Sequence, residues 1–316
     1  MATLNSNYLP AQVAWLLILL LPLSSAAVTK NGFDLHDALI PATEIFQGGP
    51  PRDGIPAIDR PKFISADKAD FLAPDDRVVG IEIEGEARAY PIKILNWHEI
   101  VNDSIKSKPI TVTFCPLCGT AIVFSAKVKN LSRQFAVSGL LYNNDVLLYD
   151  RESESLWSQI RMQAISGSLK GQKLESLPSN HTSWKDWRRR FPNTLVLSTK
   201  TGHKRNYNRS PYTGYEKGKE IYFPLTLRSE RYHPKERVLG TTVNGINKAY
   251  PFVELAKSNQ STIQDKVGGK TLQIKFDIEN RDGSVTSDGI TLPSINSYWF
   301  AWYAFHSDTV VYKYQE

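Results

Sequence analysis

The strongest constraint on the fold is a stretch that occurs twice. RVVGIEIEGEARAYP, Arg77 to Pro91, returns as RVLGTTVNGINKAYP, Arg237 to Pro251. Arg77, Val78, Gly80, Gly85, Ala89, Tyr90 and Pro91 align without gaps on Arg237, Val238, Gly240, Gly245, Ala249, Tyr250 and Pro251. In the first copy Val79, Ile81 and Ile83 alternate with other residues up to a Gly-containing turn, and the chain returns through a run ending Ala-Tyr-Pro, the pattern of a β-hairpin. Downstream, ITVTF (Ile110 to Phe114) is echoed by LQIKF (Leu272 to Phe276). Cys115 then corresponds to Asp277, and the second copy has no CPLC.

Between the copies, FAVSGLLYNNDVLLYDRES reads as two strands around Asn143-Asn144-Asp145. KILNWHEIVND, Lys93 to Asp103, is predicted as a short helix with Ile94, Leu95, His98 and Val101 on one inward face. TSWKDWRRRFPN is predicted as another, capped by Thr182 or Ser183 and stopped by Pro192. INSYWFAWYAFHSD fits either a helix with Trp299, Trp302, Tyr303 and His306 on one face or a buried strand. The predicted fold is mainly β (α+β by count), an internally duplicated β-hairpin and β-sheet module with a few short helices. Residues 27–54 form an N-terminal extension in this reading, 55–230 a first β module with the CPLC turn and the Trp/Arg helix, and 231–316 a second, degenerate module packed on the first.

The first 26 residues contain no Asp, Glu, Lys or Arg, and Val13 to Leu23 form an apolar run broken only by Pro22. That run is shorter than the roughly 20 residues that span a bilayer, and small residues follow it at Ser24, Ser25 and Ala26. Residues 1–26 therefore read as a secretory signal, with periplasmic or extracellular export expected and membrane contact only through this segment if it stays uncleaved. Net charge is +6, yet basic residues are dispersed except in WKDWRRR, Trp184 to Arg190. A solvated helix face accounts for that run, and an exported chain is expected to have no nucleic-acid partner. The partner classes left are a small molecule or another protein of the cell envelope.

The chain has only two cysteines, in Cys115-Pro116-Leu117-Cys118-Gly119. C-x-x-C at a glycine turn presents two thiolates to one ion and supplies half a tetrahedral site. With no second such turn, the remaining ligands must come from elsewhere: His98 first, then His306, Met162 and Asp145. Two sulfurs with imidazole or thioether suit zinc or copper and are poor ligands for calcium or magnesium. The same pair also permits a thiol-disulfide oxidoreductase or a structural disulfide in a non-enzymatic ligand- or partner-binding scaffold. A β-prone run after Cys118 speaks against a thioredoxin-like site, which continues as a helix. TGHKRNYNRSPYTGY, Thr201 to Tyr215, is a long loop whose Arg205, Tyr207, Tyr212 and Tyr215 suit an anionic or sugar-like ligand. No nucleophile elbow or phosphate loop is present, so no enzyme class is assigned.

Several of these strings together resemble one prokaryotic family, domain of unknown function 3179: YPIKILNWHEIVND, TFCPLCGTAIVF, FAVSGLLYNNDVLLYDRESESLWSQI, the TG-x-x-R-x-Y-x-x-x-PY-x-x-Y loop and YWFAWYAFHSDT. The resemblance runs from about Ile55 to Tyr312. It implies that the cysteine turn and the histidine before it belong to a shared pattern, and it brings no activity with it. QIRMQAISG departs from the family form, which has Thr-Gly near Arg161 and Met162 and so weakens Met162 as a ligand.

Overall fold

The repeated stretch folds as the same hairpin twice. Arg77–Ile83 pairs antiparallel with Glu86–Pro91, and Arg237–Val243 with Ile246–Pro251, in matching register. Each turns on two left-handed residues, Glu84-Gly85 and Asn244-Gly245, the backbone that fits the twist of paired strands. The computed structural model, which describes residues 28–315, carries the repeat well beyond the matching letters.

After each Tyr-Pro the chain enters a helix, α1 (Ile92–His98) in the first copy and α3 (Phe252–Leu255) in the second. Proline has no amide hydrogen to lose at a helix start and presets the backbone there. A three-stranded meander follows in both copies: Ile100–Ile105, Lys108–Cys115 and Thr120–Ser125, then Thr262–Val267, Lys270–Asp277 and Asp282–Ser287. The hydroxyl of Tyr90 donates to Asp103 at 2.6 Å and that of Tyr250 to Asp265 at 3.0 Å, so hairpin and meander are tied by the same bond twice.

The last shared unit is a strand leading into a tryptophan helix. Asn180–Ser183 runs into α2 (Trp184–Arg190), and Ser294–Tyr298 into α4 (Trp299–Phe305). Trp187 lies on Gly80 and Trp302 on Gly240, so closely that a Cβ there would sit 2.3 Å and 2.2 Å from the ring. Each indole N–H donates to a threonine seven residues on, Thr194 at 3.0 Å and Thr309 at 2.9 Å. Each ring is covered by the side chain four residues on, Phe191 at 4.3 Å and His306 at 3.9 Å.

Five small sheets arranged as a five-bladed, propeller-like ring result, with two short ribbons besides. Four blades come from the repeat. The fifth, built of Ile45–Gln47, Phe135–Tyr142, Asp145–Asp150, Leu156–Ser158 and Gln163–Ser166, has no counterpart in it. Both long strands of this blade are buried along their whole length, which is why their sequence is mostly apolar on both faces rather than alternating, with Ser138, Asp145 and Asp150 buried among the apolar residues. Ile45–Gln47 belongs to the stretch read from sequence as an extension, and it is a blade edge strand.

The two copies are interlocked. Ser294–Tyr298 of the second packs against Thr120–Ser125 of the first, and Asn180–Ser183 of the first against Asp282–Ser287 of the second. The arginine that opens each hairpin reaches the meander turn of the other copy: Arg77 donates to the carbonyls of Asn280 and Arg281, and Arg237 to that of Gly119 at 3.2 Å.

Two sequence expectations change here. The helix predicted over Lys93–Asp103 stops at His98, because Glu99 takes φ +58° and Val101 is already in a strand. INSYWFAWYAFHSD is neither all helix nor all strand, but a strand to Tyr298 and a helix from Trp299. Among the described residues no helix is long and apolar enough to cross a membrane, and residues 1–26, read above as a signal, lie outside them.

A candidate metal centre

The CPLCG turn joins Lys108–Cys115 to Thr120–Ser125. Its shape comes from the fold and not from its sulfurs, since the equivalent turn of the other copy closes the same way. There Asp277 Oδ1 accepts the amide of Asn280 at 2.9 Å; here Cys115 Sγ accepts the amide of Cys118 at 3.4 Å. Gly119 has φ +61°, a state that Arg281 also takes in the other copy at φ +49°, but a Cβ on Gly119 would come within 2.7 Å of the Tyr298 ring, so the close approach is what requires glycine here. Tyr298 also donates its amide to the Cys118 carbonyl at 2.9 Å.

The fifth blade meets this turn with its own. Asn143 and Asn144 are both left-handed, as a two-residue hairpin loop demands, and Asp145 is the first residue after them. The Cys115 thiol faces the Asn144 carbonyl at 3.3 Å. The ligand atoms of Cys115, Cys118 and Asp145 all lie within 4.8 Å of one another. Around a tetrahedral ion with bonds of about 2.0–2.3 Å, donors stand roughly 3.3–3.8 Å apart, so shifts of about 1 Å close the group on an ion.

All three side chains are sealed from solvent. Asp145 Oδ2 accepts from the Ile160 amide at 3.0 Å, while its Oδ1 is buried with no hydrogen-bond partner. Burial raises the Asp145 carboxyl to about 8, against the pull of that amide and of the Ser158 hydroxyl. Glu99 is raised to about 8 as well, by burial and then by the charge of Asp145, with Tyr212 opposing. Burial, then Cys115 and Asp145, push the Cys118 thiol well up. Asp145 Oδ1 is one of several buried polar atoms without a partner, and it lies beside two free thiols, which makes this group an unfinished polar site.

The long loop covers the centre. Tyr215 is buried beside the two sulfurs, its hydroxyl without a partner, and Tyr212 stands beside Glu99 and Cys115. Both phenols are raised, first by burial. The loop is held by Lys235, whose buried ammonium donates to the carbonyls of Tyr215, Gly218 and Glu220 at 2.7, 2.9 and 2.6 Å. It is also held by the turn itself, because the Asn144 side chain exchanges two bonds with the main chain of Phe223, at 2.8 and 2.9 Å.

The predicted residues thus part company. His98 points inward, as its place on α1 requires, but away from the sulfurs' group: Nδ1 is 2.8 Å from the Pro56 carbonyl and Nε2 2.7 Å from the Tyr207 hydroxyl. The left-handed Glu99 turns the chain at that point, so the next residue, and not the histidine, stands beside Asp145. His306 is likewise outside the group, stacked on Trp302 where the first copy has Phe191 on Trp187. Met162 is half-buried on the Leu156–Ser158/Gln163–Ser166 connection, packed on the core. Tyr207 joins the loop to His98, and Arg205 is exposed with its guanidinium 5.8 Å over the Trp97 ring. Asp145, the last-ranked candidate, is the residue that meets the cysteines. Its signal was present: an acid opening the wholly apolar run VLLY must be buried, and a buried carboxyl needs a partner.

Residues 52–287 match the model of a family described as "Protein of unknown function (DUF3179)". The chain belongs to this family. No curated protein and no solved structure matches it. The family match contains the whole candidate centre and its covering loop and attaches no activity to them.

Proposed function

We propose that this protein binds one soft transition-metal ion, zinc or copper, through Cys115, Cys118 and Asp145. The observation that carries the reading is the convergence of two thiols and a carboxyl with a free buried oxygen inside one sealed site. Sulfur donors favour zinc or copper over calcium or magnesium. Three protein donors leave a four-coordinate ion one position to fill. The residues 1–26, read as a secretory signal, support an exported protein, and in an oxidising compartment two adjacent thiols form a disulfide unless a metal holds them. Thiol-disulfide exchange is less well supported, because a substrate disulfide needs an exposed, readily ionised sulfur. Both sulfurs here are buried, and Cys118 is harder to ionise than usual.

Elemental analysis of purified protein is expected to find about one equivalent of metal, and none in a variant with both Cys115→Ser and Cys118→Ser. Asp145→Ala is expected to weaken binding by at least about tenfold. Metal-free protein with a Cys115–Cys118 disulfide, and no uptake of zinc or copper after reduction, is the result that sinks the reading.

A further inference from the structure

Two concavities meet where the fifth blade touches the second copy of the repeat. One, of about 270 Å³, has Arg161, Gln163, Lys173 and His306 in its wall together with Tyr142 and Phe305. The other, of about 230 Å³, shares Ile160, Arg161 and His306 but is otherwise lined by Met162, Ile295, Pro293 and the Trp302 ring, with a threonine edge. Each alone is small. Side by side they enter the size range of small-molecule sites, roughly 300–1,000 Å³, and they divide by chemistry, one polar and cationic, the other mainly apolar.

The cations are uncompensated. Nineteen ion pairs join charged groups elsewhere, but neither Arg161 nor Lys173 has a carboxylate within 4 Å among the described residues. Partial desolvation and then the charge of Arg161 lower the Lys173 ammonium, and Arg161 acts in the same direction on His306. One carboxylate, Asp308, faces His306, and Asn247 holds it at 2.9 Å.

The frame that presents these groups is fixed. Lys173 sits opposite Gln163 in a β-bridge, and the Met162 main chain is bound on both sides, its amide to the Gln159 carbonyl at 3.1 Å and its carbonyl to the Leu174 amide at 2.9 Å. Met162 is also left-handed, at φ +51°, an uncommon state for a long side chain. A guanidinium and an ammonium on a held backbone, facing a cavity with no acid to pair them, are arranged for a ligand that brings the anion.

We propose that this junction binds a small organic carboxylate, its head group between Arg161 and Lys173 and its apolar body against Ile160, Met162, Ile295 and Trp302. The two oxygens of one carboxylate can accept from the guanidinium and the ammonium together, and the adjoining apolar wall selects against acetate-sized acids. The site touches the metal centre through Ile160, whose amide donates to Asp145, but the reading of that centre has no part in the proposal of a carboxylate here.

Isothermal titration of the full chain with 3-phenylpropionate, octanoate, 3-phenylpropanol, acetate and phenyl phosphate tests this. At least one of the two larger acids is expected to bind about tenfold or more tightly than both the alcohol and acetate, the loss of one charged contact being of that order. A variant with both Arg161→Gln and Lys173→Gln is expected to lose that preference, and Lys170→Gln, a surface lysine elsewhere, to keep it. Equal binding of acid and alcohol overturns the proposal, as does no binding of either larger acid at millimolar concentration. Phenyl phosphate binding tenfold better than both acids overturns the carboxylate assignment. The wild-type series decides the matter even if the double variant misfolds.

Discussion

Asp145 offers the sharpest test of how the centre is built. Its carboxyl has an ordinary value of 3.8 and is raised to about 8 in the metal-free fold. The folded state therefore holds a proton that the unfolded chain has lost, so stability is full below about pH 4 and falls as pH rises towards 8. Between pH 5 and pH 7 this one group removes about 2.6 kcal/mol, from about 1.36 kcal/mol for each unit of pKa difference. At 2–4 °C per kcal/mol for a chain of this size, that is a fall of roughly 5–10 °C in Tm. Glu99 is raised to about 8 too and adds a slope of the same sign, so the informative quantity is a difference between proteins. Asp145→Asn keeps an acceptor for the Ile160 amide and removes the titration. Thermal unfolding followed by circular dichroism, in chelator at pH 5, 6 and 7, should show wild type losing those degrees relative to the variant. With saturating zinc the wild-type slope should reverse, because the ion displaces the protons. Parallel Tm profiles of the two metal-free proteins would refute the claim that this carboxyl is buried and uncharged.

Other consequences are independent of the metal. Gly80→Ala and Gly240→Ala put a methyl within 2.3 Å of a tryptophan ring, and each should cost about 3 kcal/mol by denaturant unfolding. Gly245→Ala, with open space around a left-handed turn, should cost about 1–2 kcal/mol. His306→Phe restores the residue of the first copy at its stacking position and should change stability by less than about 1 kcal/mol, with metal content unaffected. Lys235→Met leaves three loop carbonyls without their donor. It should cost about 3 kcal/mol or more and open the segment around residues 215–220 to limited proteolysis, whereas unchanged cleavage would show that the loop does not depend on this lysine.

The repeated hairpin was legible because its information is local. Alternation, a glycine turn and a terminal Tyr-Pro each act within a few residues, and the same letters closed the same turn in both copies. The correspondence of Cys115 with Asp277 was visible for the same reason, and the structure gives it a meaning: one turn, one amide cap, two different acceptors. Helix α2 starts at Trp184 with Ser183 as its cap, one of the two residues its sequence offered, and the Ser183 side chain accepts the Asp186 amide.

The choice of third ligand was not local. Periodicity placed His98 on the inward face of α1, and it is buried there, but inwardness does not say towards what. One left-handed residue at Glu99 and a phenol 109 positions away decide that the imidazole ends on Tyr207 and a backbone carbonyl. Asp145 reaches the cysteines only because a fifth blade, absent from the repeat, closes the ring with its hairpin turn against theirs. Most strands, their turns and the two sulfurs two residues apart could be read along the chain, because these depend on backbone preference and side-chain alternation over short spans. Tertiary structure alone decided which acid meets those sulfurs and what seals them, because convergence is set by how separate sheets pack, and no periodicity along the chain encodes it.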